Sequence, residues 1–146
     1  EIALYEKDEA AALVYQQRFL AEASNPAYGN MYKSYICRLE SSMKGKGGEV
    51  MALAKNEVLE RPHPLSYALL AWSNFKNGDT ATAVDVLQNH VLRQTEEPIA
   101  IYYTGMIFKA AGKNAEAKKY LSMAADAGFE LGPVVKREVD EHLAQL

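Results

Sequence analysis

Cysteine is nearly absent: the chain of 146 residues has one, Cys37. No internal disulfide can therefore hold the fold, and a lone thiol leaves the compartment open. Long hydrophobic runs are missing too. None approaches the roughly 18 apolar residues a membrane-spanning helix requires, so no helical membrane insertion is expected. Charge of one sign is scarce, with a net charge of −3 and both signs spread along the chain. Neither nucleic acid nor an anionic lipid surface is the expected partner.

Catalytic and metal-binding patterns are also lacking. His63, His90 and His142 are scattered, and no His-x-x-x-His or Cys-x-x-Cys spacing occurs. No metal is expected, and each histidine reads as a surface or helix-end residue. The turn Gly45-Lys46-Gly47-Gly48 lacks the Gly-Lys-Ser/Thr signature and preceding strand of a phosphate cradle. It reads as a connection between helices. Carboxylates gather only as neighbours, as in Glu96-Glu97 and Asp140-Glu141, where solvation is the ordinary explanation. No cofactor and no catalytic residue are expected. Residues 1–20 lack a basic-then-apolar leader pattern and the first residue is Glu1, so a processed protein or a piece of a longer one is expected.

What the chain does contain is helical periodicity. Proline and glycine fall between apolar stretches rather than inside them, as residues that break helices should. Within the stretches apolar residues recur at three and four: Tyr67, Leu70, Ala71 and Phe75, or Val135, Val139 and Leu143. No run alternates like a strand. The pattern predicts an all-α chain with helices near 2–24, 28–43, 48–61, 64–77, 80–93, 98–111, 114–127 and 133–145. Asn25-Pro26, Asp79-Thr80 and Asn114 supply start signals, and Pro64, Pro98 and Pro133 suit a first turn. Helices joined by two or three residues must pack antiparallel.

The helices repeat. Pro64 and Pro98 are 34 residues apart, and so are Ala71 and Gly105, Gly78 and Gly112, Ala83 and Ala117, and Leu87 and Leu121. With this period and these residues the chain resembles the tetratricopeptide repeat family. Residues 98–131 carry the resemblance most fully: Gly105 at the small first-helix position, Gly112 in the turn, Ala117 and Ala124 in the second helix. Ile101, Phe108 and Leu121 fall at the large anchor positions. In 64–97, Asn74 and His90 depart from the family pattern. A further divergent unit at 30–63 has Cys37 at the small position and Gly45 in the turn. Residues 1–29 then form an N-terminal helix and 132–146 a closing one, all within one domain of 1–146.

The resemblance implies a right-handed α-solenoid of about eight antiparallel helices, roughly three hairpins plus end helices. It also implies that first helices line a concave groove. In this register Arg38, then Leu65, Trp72, Phe75 and Lys76, then Tyr102, Met106 and Lys109 face inward. Aromatic side chains anchor interfaces, and long cations pair with carboxylates. A peptide with apolar side chains and an acidic group or free C-terminus is the expected ligand. Trp72 follows Ala71 directly, so either the groove or the core can hold it. Tyr28, Tyr32 and Tyr35 share one helical face and read as core against the first helix. The expected function is protein or peptide binding as a module or adaptor, with a self-associating scaffold (a homo-oligomer) as the alternative. A helical enzyme ranks behind both.

Overall fold

The computed structural model describes residues 2–41, 43 and 45–146. Ser42, inside the expected 28–43 helix, lies outside the described residues, as do Glu1 and Lys44. The described chain is all-helical, with 77% helix and no strand among those residues. In order the helices are α1 (Ile2–Tyr5), α2 (Glu9–Ala23), α3 (Lys33–Glu40), α4 (Gly47–Glu60) and α5 (Pro64–Lys76). They continue as α6 (Thr80–His90), α7 (Pro98–Ala110), α8 (Asn114–Asp126) and α9 (Gly128–Leu143).

From α3 onward each helix packs against the next, and a second set of contacts joins α3 to α5, α5 to α7 and α7 to α9. Helices α3, α5, α7 and α9 are therefore joined in a row, and each successive pair also packs on the helix between them in the chain. Pro64 and Pro98 occupy the first turns of α5 and α7, where a missing N–H leaves no bond unmade. Asp79 caps α6, its carboxylate accepting from the Thr82 N–H at 3.0 Å. That bond holds the Asp79 carboxyl below its ordinary value. Gly78 and Gly112, one period apart, close α5 and α7 at φ 90° and 72°, a conformation side-chain-bearing residues adopt at a cost.

The small residues mark the closest approaches. A Cβ on Gly105 would stand 2.7 Å from Cγ of Leu121, so α7 and α8 meet there with no room for a methyl group. Ala71, Ala83, Leu87, Leu121 and Ala124 are fully buried in the main core, which runs through α5–α9, and Ala117 is fully buried as well. A second cluster of Cys37, Val50, Ala54 and Leu69 joins α3, α4 and α5. Cys37 takes the small position there, with its thiol between the Val50 carbonyl and the Ser73 hydroxyl, both at 3.6 Å. Burial pushes its pKa up.

Four expectations need correction. The helix expected at 2–24 is broken at Glu6–Asp8: Lys7 has φ 62° and Asp8 caps a new helix by accepting from the Ala11 N–H. The helix expected at 28–43 starts only at Lys33, because Asn25 caps a short 3-10 turn at Pro26–Tyr28 that ends on Gly29 at φ 52°. The helix expected to reach residue 93 stops at His90, where Val91 turns into the core and Arg93 takes φ 64°. Helix α9 begins before Pro133: its first turn, 128–131, is separated from the rest by a kink at Gly132.

The tyrosine strip differs as well. Tyr32 packs edge-on against Phe19 of α2 at 6.2 Å between ring centres, while Tyr28 and Tyr35 are largely exposed. With residues 29–32 non-helical, the three rings no longer share a single buried face.

Candidate binding face

The row of helices α3, α5, α7 and α9 holds a cavity of about 200 Å³ between α3, α5 and α7. Its apolar wall is Leu65, Leu69 and Ile99, and Ser34 and Arg38 of α3 add polar groups to its lining. The last turn of α4 closes one end. There the buried Glu57 carboxylate is held by Arg61 at 2.7 Å, and Lys33 of α3 pairs with Glu60 at 2.9 Å. Arg38 alone among these cations forms no ion pair with any described residue. Its side chain is exposed, so a carboxylate arriving from outside meets a guanidinium with free donors.

Tyr103 is buried at the base of this cavity. Desolvation raises its phenol to about 12, while the nearby Arg38 charge acts in the opposite direction. The sign for stability follows from linkage. A neutral phenol buried in the fold contributes fully below the unfolded value of about 10, and that contribution is lost as pH rises from about 10 toward 12. Alkaline titration followed by tyrosinate absorbance should therefore show a step near pH 12 that Tyr103→Phe removes. A Tyr103→Phe curve identical to wild type would contradict this burial.

His63 and Ser66 also border the cavity. The imidazole Nδ1 accepts from the Ser66 N–H at 3.4 Å, and Nε2 meets the Ser66 hydroxyl at 3.2 Å. Both ring nitrogens thus face one residue. This caps the start of α5 and leaves no ring nitrogen for the third group that orients a catalytic histidine.

The eight residues expected to line a groove separate into three sets. Arg38 and Leu65 line the cavity together. Trp72, Phe75 and Lys76 form a packed group at the middle and end of α5. Trp72 is only 7% exposed, stacked on Tyr103 at 4.3 Å, with Phe75 at 5.3 Å and the Lys76 ammonium over its ring at 5.3 Å. Of its two possible settings Trp72 takes the core, since the α5–α7 contact covers its flat face.

Tyr102, Met106 and Lys109 lie toward α9. Tyr102 is buried and donates its hydroxyl to Glu138 at 2.7 Å, and desolvation together with that carboxylate raises its pKa strongly. Met106 packs on the main core. Lys109 donates to Gln145 Oε1 at 2.6 Å and to His142 Nδ1 at 2.9 Å. The closing helix has taken these partners, so no continuous apolar floor with free cations runs the length of the row.

Glu57, Arg61, His63, Ser66 and Tyr103 were not among the expected site residues. Glu57 lies in the last turn of α4 and Arg61 and His63 in the connection to α5, where a spacing argument based on first helices has no reach. Tyr103 follows Tyr102 by one residue, and the two split between neighbouring seams. A larger cavity of about 510 Å³ lies by the turn before α4, with Lys76 and Asn77 opposite. Its acidic member, Glu40, is already near Lys46 at 3.6 Å, and few apolar groups line it.

Comparison with protein-family models, with curated proteins and with solved structures finds no match.

Proposed function

We propose that the chain is a short tetratricopeptide-like solenoid, one domain, whose α3–α5–α7 face binds a peptide or protein segment without catalysing a reaction. Support for the solenoid reading comes from the 34-residue register, the contacts between successive odd helices and the close approach at Gly105. Stacked hairpins of this kind bury a continuous core and leave an extended surface for partners. The observation that carries the binding reading is the small cavity with an apolar wall beside Arg38, which forms no ion pair with a described residue. A volume of about 200 Å³ admits one large apolar side chain of a polypeptide. A carboxylate beside that side chain would take the guanidinium bidentately.

The test is selection from a random peptide library displayed with free C-termini, run on wild type and Arg38→Glu in parallel. Wild type should enrich peptides with a large apolar residue next to an acidic group or the terminal carboxylate. Arg38→Glu should lose them by about tenfold or more in affinity, the size expected when a charged hydrogen-bonded contact becomes a repulsion. Equal enrichment by both proteins would remove the cavity from the account.

Self-association is the second reading, favoured by one observation. Helix α2 exposes Leu13, Val14 and Tyr15, and Phe129 is fully exposed. A mass that rises with concentration in light scattering, in the absence of any peptide, would favour it.

A further inference from the structure

Helices α1 and α2 differ from the rest of the chain in how they are attached. Among the described residues, helix α2 makes its substantial contacts with α1 and α3, and α1 with α2 and α9. The arm therefore joins the two ends of the row from α3 to α9 without extended contact with α5 or α7 between them, or with α4, α6 and α8. The lengths agree with a span of that kind. Fifteen residues of α2 reach about 22 Å, and three steps between packed helices from α3 to α9 cover about 24–30 Å. The Glu6–Asp8 turn and α1 supply the remainder.

Among the described residues, the hydrogen bonds that tie the far end of the arm to α9 come from Arg137. Arg137 of α9 donates to the carbonyls of Tyr5 at 3.1 Å and Leu4 at 3.5 Å, and its guanidinium lies 5.4 Å from the centre of the Tyr5 ring. Both carbonyls lie at the C-terminal end of α1, where a cation is favoured, and that of Leu4 also accepts from the Lys7 N–H at 3.2 Å. Both ends of α2 have a pivot: Lys7 at φ 62°, and Gly29 at φ 52° after the Pro26 turn. Between the pivots the apolar side chains of α2 stay mostly exposed, Val14 at 63% and Tyr15 at 65%. Few buried contacts oppose detachment of a segment built this way.

We infer that the N-terminal arm is a releasable strap over the α3–α5–α7 face, latched by Arg137, and that it governs access of large ligands to the cavity at Arg38. The inference rests on the binding reading for the purpose of the strap, and its geometry is testable without any ligand. A polypeptide reaches the cavity by displacing the strap or passing beneath it, whereas a small molecule enters with the latch closed.

The experiment places a thiol in the cavity wall with Ser34→Cys, in the full chain, and measures its labelling rate by iodoacetamide and by a polymer-linked maleimide. The native Cys37 is buried and serves as the silent background. Adding Arg137→Glu should raise the rate with the bulky reagent by about fivefold or more, the scale of losing a charged hydrogen bond and a cation–π contact. The iodoacetamide rate should not change. Arg137→Gln, a milder change, should give a smaller rise of the same kind, with Trp72 fluorescence unaltered in both. Bulky-reagent rates unmoved by either variant would overturn the strap. So would equal acceleration of both reagents, since that reports loosened packing instead of a released arm. A protein that passes this test and selects no peptide would retain the strap and lose the binding reading.

Discussion

Leu121→Ala should cost about 2–5 kcal/mol of folding stability, among the largest effects of any single truncation in the chain. Leu121 is fully buried at the α7–α8 crossing, directly against Gly105. The companion change Gly105→Ala tests the same contact from the other side. The new methyl would press on Cγ of Leu121, and the Leu121 backbone nitrogen at 3.1 Å limits any retreat. Overpacking of this kind costs about 1–3 kcal/mol, against roughly 1 kcal/mol gained by replacing a helical glycine with alanine. Gly105→Ala alone should therefore be mildly destabilising. In the Leu121→Ala background the side-chain clash is gone and only the tight backbone contact at 3.1 Å remains, so the same substitution should cost less than it does beside Leu121. Urea denaturation of the four proteins gives the coupling directly. A Gly105→Ala effect independent of residue 121 would show that the helices do not meet there.

Trp72→Ala carries the second large effect, about 3–5 kcal/mol. The indole is almost wholly buried among Tyr102, Tyr103 and Phe75, so its removal opens a void between α5 and α7. Trp72→Phe should recover most of the loss, because it keeps a ring on Tyr103. Thermal and urea unfolding check both. If Trp72→Ala left stability within about 0.5 kcal/mol of wild type, the value typical of surface positions, the side chain would belong to an open groove. As the chain's one tryptophan, residue 72 also gives a fluorescence signal for α5–α7 packing in every variant proposed above.

Much of the architecture could be read from residue spacing because the strongest signals were local. Pro64 and Pro98 set the starts of α5 and α7, Gly78 and Gly112 their ends, and the 34-residue recurrence of small residues marked where helices approach. In the first third of the chain this logic failed. Asp8 and Gly29 have no second copy at the repeat distance, and Asn25-Pro26 marks a start without showing that the turn it caps is only three residues long. Each proved decisive for the local backbone.

The candidate site was legible only in part. Arg38 and Leu65 line one cavity. The fates of Trp72, Tyr102 and Lys109 depended on rotations of a helix about its axis and on what α9 would place beside α7. A repeat period fixes neither. Glu138 and Gln145, which meet Tyr102 and Lys109, lie 36 residues further along, in α9 and just past its end, outside the repeat. The cavity itself combines the end of α4 with faces of three other helices, a convergence in space that spacing along one chain does not reveal.

The most direct test of the binding face is amide hydrogen exchange of the wild-type protein with and without a peptide selected from the library. Added protection should appear in α3, the first half of α5 and the first half of α7, around Arg38, Leu65, Leu69 and Ile99. Protection confined to the exposed side of α2 or to the turn before α4 would contradict the account and move recognition elsewhere on the chain.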